Sequence, residues 1–398
     1  MTVPSKVLLV SNGHGEDVVS ERLVRALKVL NPDVQLYALA TVSDGHGLAQ
    51  AGCTLLDAGP ILPSGGMTLE SPSALMRDLR AGLLTGLITQ WNSIRQADVT
   101  AVISVGDIWA ELLAAGVQAD RRVAVQTLVS TRMQGRENAT GRQAFRERIT
   151  LLERLVLNRR FDHVFVRDTD TAQRLEDQGV HHAAFVGNPM MDGLLPKGEA
   201  SPEPSEGRRR RVLLLPGTRE GAETNLAFMT EVLSLLGTVE AKVAWAKTHP
   251  PAPAELQRDG RPVSAGQATL AWTDEPFGEL LTWADVAIGS TGTAVEQAAG
   301  VGTPVVTFPS PTMRLRFFEN QARLLGDAVQ LESRDVTAVA QVLNRWLQTP
   351  GELARRANVG RRVMGPPGAA EAIAAAALGR EDAGRSPRVG HDSATRVR

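Results

Sequence analysis

The sequence predicts two doubly wound α/β domains facing across a cleft, and three observations carry that prediction. Short runs rich in Val, Ile and Leu alternate with helical patterns almost throughout the chain. The runs are nearly all apolar rather than alternating, as expected of parallel strands buried on both faces. A polar stretch rich in Pro, Ser and Glu, PKGEASPEPSEGRRR at 196–210, interrupts this alternation, which then restarts.

In the first half, strands are predicted at 6–11, 34–40, 100–106, 122–128, 162–168 and 183–189. Helical patterns lie between them; in EDVVSERLVRALKVL, Val19, Leu23, Ala26 and Leu30 form one apolar stripe. After the linker come strands at 211–217, 241–247, 268–273, 284–290, 303–309 and 328–333. Prolines announce a last helix, GPPGAAEAIAAAALG at 365–379, and the almost apolar-free 380–398 reads as a disordered tail. The expected domains are therefore 1–195, a linker at 196–210, and 211–363, followed by a terminal helix at 364–379. Ligands of such sheets bind beyond the carboxyl ends of the strands, so the chemistry is sought in the loops there.

Composition narrows the function classes. Lys+Arg 43 against Asp+Glu 44 gives a net charge of -1, and aromatic residues make up 4%, which together disfavour a nucleic-acid partner. Cys53 is the one cysteine, so neither a disulfide framework nor a cysteine metal cluster is expected. With no signal peptide and no apolar run of membrane-spanning length, a cytoplasmic protein is expected, with membrane contact at most peripheral.

Several loops could carry chemistry. Gly289-Ser290-Thr291-Gly292-Thr293 ends a buried strand and opens a helix at about Ala294. Backbone N–H groups at such a helix start suit a diphosphate, although a plain capped turn would look similar. Gly217, Thr218 and Arg219 follow the first strand of the second half, and Arg219 could pair with phosphate oxygens or be an ordinary surface arginine. Asp107 follows a buried strand, where it could act as a general base or as a helix N-cap. Asp168-Thr169-Asp170 imitates a metal–diphosphate motif, but it opens a helix and is read as a cap. No H-E-x-x-H or paired Cys/His spacing supports a metal. In 73–91, Met76, Leu79, Leu83, Leu87 and Trp91 form a stripe beside Arg77 and Arg80, either core or a lipid-facing surface.

Taken together, these loops resemble the lipid-A-disaccharide synthase family, within the GT-B superfamily of glycosyltransferases. LLLPGTREGAE resembles the family's Leu-Pro-Gly-Ser-Arg…Gly-Ala-Glu segment, and STGTAVEQAAGVGTPVV its Ser-Gly-Thr-Ala loop and helix. SVGDIWAELL resembles its Gly-x-Asp loop, FVGNPMMDGL its Gly-His-Pro-x-x-Asp segment, and SNGHGEDVVSERL its first loop, over about Lys6 to Leu378.

The resemblance implies two Rossmann-like domains, with the terminal helix crossing back onto the first. It implies metal-independent, inverting transfer from a UDP-sugar, typically a UDP-N-acetylhexosamine, to a lipid-linked acceptor, with no other cofactor. By the same resemblance, Asp107 is the base, with His14 and Glu16 as alternatives. Gly217, Thr218, Arg219 and the turn Ser290, Thr291, Gly292, Thr293, Ala294 would hold the donor. The family's carboxylate in the donor helix falls on Gln297, with Glu296 one residue earlier, so either could face the ribose. Asn188 replaces the usual His, and the first loop is rearranged. Asn12, Gly13, Gly15 and Asp17 of that loop, with Asn188, are assigned to the acceptor. The loop's two glycines lack the third of a dinucleotide fingerprint. Two rival readings stay open: a non-hydrolysing UDP-N-acetylglucosamine 2-epimerase, suggested by AKTHPP at 246–251, and a nucleotide-sugar-binding protein without catalysis.

Overall fold

The computed structural model describes residues 5–12, 14–41, 43–58, 76, 79–80, 82–133, 149–194, 209–217, 221–245, 263–273, 275–290 and 292–380. The first sheet comprises β1 (Lys6–Ser11), β2 (Gln35–Ala40), β3 (Thr54–Ala58), β4 (Ala101–Gly106), β5 (Arg121–Gln126), β6 (His163–Phe165) and β7 (Ala183–Ala184). It is parallel throughout, in the order β3-β2-β1-β4-β5-β6-β7. Its helices are α1 (His14–Leu30), α2 (His46–Gln50), α3 (Leu83–Arg95), α4 (Ile108–Gly116), α5 (Leu151–Arg160) and α6 (Thr169–Asp177).

The second sheet comprises β8 (Arg210–Leu215), β9 (Val239–Val243), β10 (Val263–Ala265), β11 (Ala268–Trp272), β12 (Val286–Gly289), β13 (Val305–Thr307) and β14 (Val329–Leu331). Its order is β10-β11-β9-β8-β12-β13-β14, parallel except for the β10–β11 pair at one edge. Helices α7 (Ala222–Ser234), α8 (Phe277–Trp283), α9 (Thr293–Val301), α10 (Leu315–Leu325), α11 (Val336–Gln348) and α12 (Pro350–Met364) surround it, and α13 (Ala369–Ala377) ends the fold.

Each sheet carries one apolar layer on either face, which is why its strands read as unbroken hydrophobic runs. The predicted crossover is present. Ala370, Ile373, Ala374 and Ala377 of α13 enter the first domain's core beside Val19, Leu23 and Leu27 of α1. The three alanines let two helices and a sheet approach closely, and Ile373 fills the space between them. The crossing begins at Gly365 and is held on the first-domain side by Asp192, whose carboxylate accepts the amides of Gly368 and Ala370, both at 2.6 Å.

Sequence and structure part company in particular places. The strand expected at 183–189 shrinks to two residues, because Gly187 turns with φ 102 and Pro189 opens a 3-10 turn. The strand expected at 162–168 stops at Phe165, while Asp168 caps α6 as the sequence predicts, with Oδ1 accepting the Thr171 amide at 2.7 Å. Strand β8 begins at Arg210, one residue inside the expected linker. Strands β3 and β10 and the short helix α2 carry too little apolar pattern to have been anticipated. Linker residues 196–208 and the 380–398 tail beyond Arg380 lie outside the described residues, as does Arg77.

Candidate active site

Doubly wound sheets form a crevice where neighbouring strands send their connections to opposite faces. In the first sheet that point lies between β1 and β4, and in the second between β8 and β12. The loops leaving these four strands carry Asn12 to Asp17, Asp107, Gly217 and the Ser290 to Ala294 turn.

At the first switch point, Gly106 has φ 136, and a Cβ there would meet Asn12 Cβ at 2.8 Å, so the β1 and β4 loops touch only because a glycine stands between them. The Asn12 amide donates to Val105 O at 3.2 Å, and its Oδ1 accepts the Thr41 hydroxyl at 2.6 Å. Asp17 accepts from Ser11 Oγ at 2.5 Å and Ser43 Oγ at 2.6 Å, lashing the start of α1 to β1 and to the loop after β2. Asp107 caps α4, its Oδ1 accepting the Trp109 amide at 3.0 Å. Glu16 is buried beside it and accepts from Thr127 Oγ1 at 3.2 Å. Burial raises both carboxyls above their ordinary ranges; the neighbouring charges of Asp107 and Asp17 raise Glu16 further, while hydrogen bonds oppose the rise at each. Two carboxyls that hold protons more tightly than usual, near each other at one switch point, suit general acid–base chemistry.

Beneath them lies a second acidic group. Gln126 Nε2 donates to Glu111 and, at 3.0 Å, to Glu153, while Glu111 Oε2 and Gln126 Oε1 are buried without partners. Desolvation, then the charges of Glu153 and Asp107, push the Glu111 carboxyl well above its ordinary range. Its folded-state pKa is thus raised over the unfolded value of about 4.3. Stability from the protonated form is complete below the unfolded pKa and is lost as pH rises through the folded one. Glu111→Gln is therefore expected to stabilise the chain, more at pH 8 than at pH 4, by about 1.4 kcal/mol for each unit separating the two pKa values. The new amide can donate to the orphaned Gln126 Oε1. Urea unfolding at the two pH values checks this; an equal effect at both, or a loss, would overturn it.

At the second switch point, Ser290 N donates to Leu215 O at 3.2 Å and its carbonyl accepts the Thr307 hydroxyl, which fixes the turn between β8 and β13. Gly292, with φ 102, is the N-cap of α9, and among the described residues no side chain caps the helix. That leaves its positive dipole end to the loop side, as an anion site requires. Helix α9 starts at Thr293, one residue before the expected Ala294. Gly217 follows β8 with φ 95.

The two switch points meet through a buried ion pair. Arg167, just beyond β6, donates from Nη2 to Glu296 Oε2 of α9 at 2.7 Å and from Nη1 to Thr127 O at 2.7 Å. Gln297 Nε2 donates to Met190 O at 2.9 Å, so both ribose candidates touch the first domain. Asn188 is buried, and its Nδ2 donates to Arg167 O at 3.2 Å and Met364 O at 2.8 Å, bridging β6 to the end of α12.

The structure therefore brings Glu16 and Asp107 together, and through Arg167 it connects them to the α9 turn. Asn12, Asp17 and Asn188 use the contacts given above within the fold. Gly13, Thr218, Arg219, Thr291 and the 246–251 segment lie outside the described residues, and His14 and Gly15 are described as helix backbone alone. Arg167 is the residue that sequence reasoning missed. Its signal was an arginine directly after a buried strand, at the carboxyl end where ligands gather. Among the described residues, no three His, Cys, Asp or Glu side chains cluster as a metal site. No described helix is long and apolar enough to cross a membrane.

No family model and no curated protein matches the chain. Solved structures do. MurG of Acinetobacter baumannii is similar with a TM-score of 0.61 at 16% identity, over 94% of this chain and 100% of that one. UDP-GlcNAc 2-epimerase of Neisseria meningitidis, bound to UDP-GlcNAc, gives 0.56 at 13%, over 94% and 100%. The calicheamicin glycosyltransferase CalG4 gives 0.59 at 16%, over 96% and 99%. With two seven-stranded, mainly parallel sheets meeting at their carboxyl ends and a helix returning to the first, the chain has the GT-B fold.

Proposed function

We propose that this protein is an inverting, metal-independent glycosyltransferase. It moves a sugar, an N-acetylhexosamine, from a UDP-sugar to a lipid-linked or other glycan acceptor. The observation that carries this reading is the meeting of the two switch points: paired carboxyls on one side, an uncapped helix start on the other, joined through Arg167. A nucleotide sugar as donor is supported by the UDP-GlcNAc held in the Neisseria epimerase of like fold. The lipid character of the acceptor rests on the resemblance. Exposure of Met76, Ile88 and Trp91 supports a peripheral membrane contact through 73–91.

In this mechanism Asp107 takes the proton of an acceptor hydroxyl. The freed oxygen forms a bond to the anomeric carbon as the bond from that carbon to the diphosphate breaks, and a single displacement inverts the centre. UDP leaves with the electron pair. Its charge is met by the N–H groups opening α9 and, by resemblance, by Arg219.

Thermal unfolding with UDP tests the donor half. At a concentration of 100 Kd, UDP should stabilise the folded state by about 2.7 kcal/mol, a rise of several degrees in Tm. No rise at millimolar UDP would sink the reading. Incubation with the UDP-sugar alone separates the epimerase rival, which would interconvert the sugar without an acceptor.

A further inference from the structure

Arg167 plays no part in the proton transfer above, yet it bonds to both candidate half-sites. Its guanidinium is buried and forks between two partners: the Glu296 carboxylate on α9 and the main-chain carbonyl of Thr127. Thr127 in turn donates its hydroxyl to Glu16 Oε1. A continuous chain therefore runs from the helix that opens at the Gly292 turn, through Arg167 and Thr127, to one of the two carboxyls at the first switch point. The planar fork holds two acceptors at fixed directions, which an ammonium group would not. Both ends of the pair are nearly enclosed, with side-chain exposures of 7% and 11%, so the contact is weakly screened.

We propose that Arg167 is a positioning residue that couples the donor-side helix α9 to Glu16, by fixing the Thr127 peptide whose hydroxyl orients that carboxylate. The role of Glu16 in transfer rests on the glycosyltransferase reading; the coupling itself does not. When α9 moves relative to the first sheet, Arg167 carries the movement to Thr127, and the hydrogen bond on Glu16 lengthens or tightens with it. Glu16 then reports whether the donor side is in place.

The charged groups acting on Glu16 are Asp107 at the start of α4 and Asp17 beside it on α1, while Arg167 reaches it through Thr127. A merely electrostatic effect of Arg167 would add to the effect of losing the Thr127 hydroxyl. An effect exerted through Thr127 would not add. The test is the titration of Glu16 followed by NMR of 13C-labelled glutamate carboxyls, with the signal identified by its loss in Glu16→Gln. Thr127→Val removes a hydrogen bond to the carboxylate and should raise the Glu16 midpoint, by roughly 0.5–1 in pH. Arg167→Met should raise it in the same direction, and the double variant should match Thr127→Val alone. Additive shifts, or no shift in Arg167→Met, overturn the proposal.

Arg167→Met leaves Glu296 buried and unpaired, which threatens folding, so the same set is also made with Glu296→Gln, whose amide oxygen removes the stranded charge. Arg167→Lys, which keeps the charge but loses the fork, should fall on the side of Arg167→Met if positioning is the role, and of the wild type if charge is. None of these titrations needs a ligand. Failure of the donor reading would show separately, as a melting temperature that UDP does not raise.

Discussion

Asp107→Asn should leave UDP binding and stability nearly unchanged while lowering sugar transfer by about 10²–10⁴-fold, the range for losing a positioned general base. The substitution is clean because of what Asp107 does locally. It caps α4 by accepting the Trp109 amide, and Asn caps a helix about as well as Asp. A fall in turnover would therefore report lost proton affinity rather than a frayed helix. If Asp107 is a cap and nothing more, the Asp107→Asn variant would support full turnover and the assignment would fail. Glu16→Gln is the companion experiment, since the Asp107 charge acts on Glu16 at the same switch point; whichever amide costs more turnover names the base. The pH profile gives a second handle. Burial raises both groups, so the acid limb of the transfer rate should lie above the ordinary carboxylate range of about 4. The rate should increase with pH through that limb as the base loses its proton.

The architecture was legible because its strands are buried on both faces. All six strands expected after the linker are present, from β8 to β14, with the β10 edge strand in addition. The elements that escaped have a common cause. Strand β3 contains Thr54 and Asp57 in five residues, and β10 has three residues, so neither shows an apolar run. Glycine and proline cut the 183–189 run short after two residues, where apolar content alone suggested a full strand. Loop positions were legible too, because the carboxyl-end rule depends on topology and not on side-chain detail.

Partnerships within the site were not legible. Sequence alone left Glu296 and Gln297 competing for one role, and spacing along a helix cannot say which faces a ligand and which faces another domain. In the structure Glu296 meets Arg167 and Gln297 meets Met190 O, contacts between residues more than a hundred positions apart. Nor could the local pattern show that Asp17 is gripped by two serines, one of them 26 residues away. Polar side chains chosen by tertiary partners carry no periodic signature. That is why the fold could be read along the chain and the detailed roles could not.

Arg167→Met is the stability change with the largest expected effect. The variant removes the cation and leaves the Glu296 carboxylate enclosed, with Gln321 Nε2 at 3.4 Å as its remaining side-chain donor among the described residues. Breaking one member of such a pair typically costs about 3–5 kcal/mol, mostly the penalty of a stranded charge. Removing both members costs far less, because two desolvation penalties disappear together with the attraction. Arg167→Met combined with Glu296→Leu should therefore recover most of the loss, and Glu296→Leu alone should be as harmful as Arg167→Met. Chemical denaturation of the four proteins of this cycle measures the coupling directly. Additive losses would mean that the pair is not closed in solution and that the two domains are joined mainly by α13 and the Asn188 bridge. Recovery in the double variant would show a closed junction, and two weakened single variants beside a stable wild type and double variant would identify Arg167 and Glu296 as its buried ionic contact.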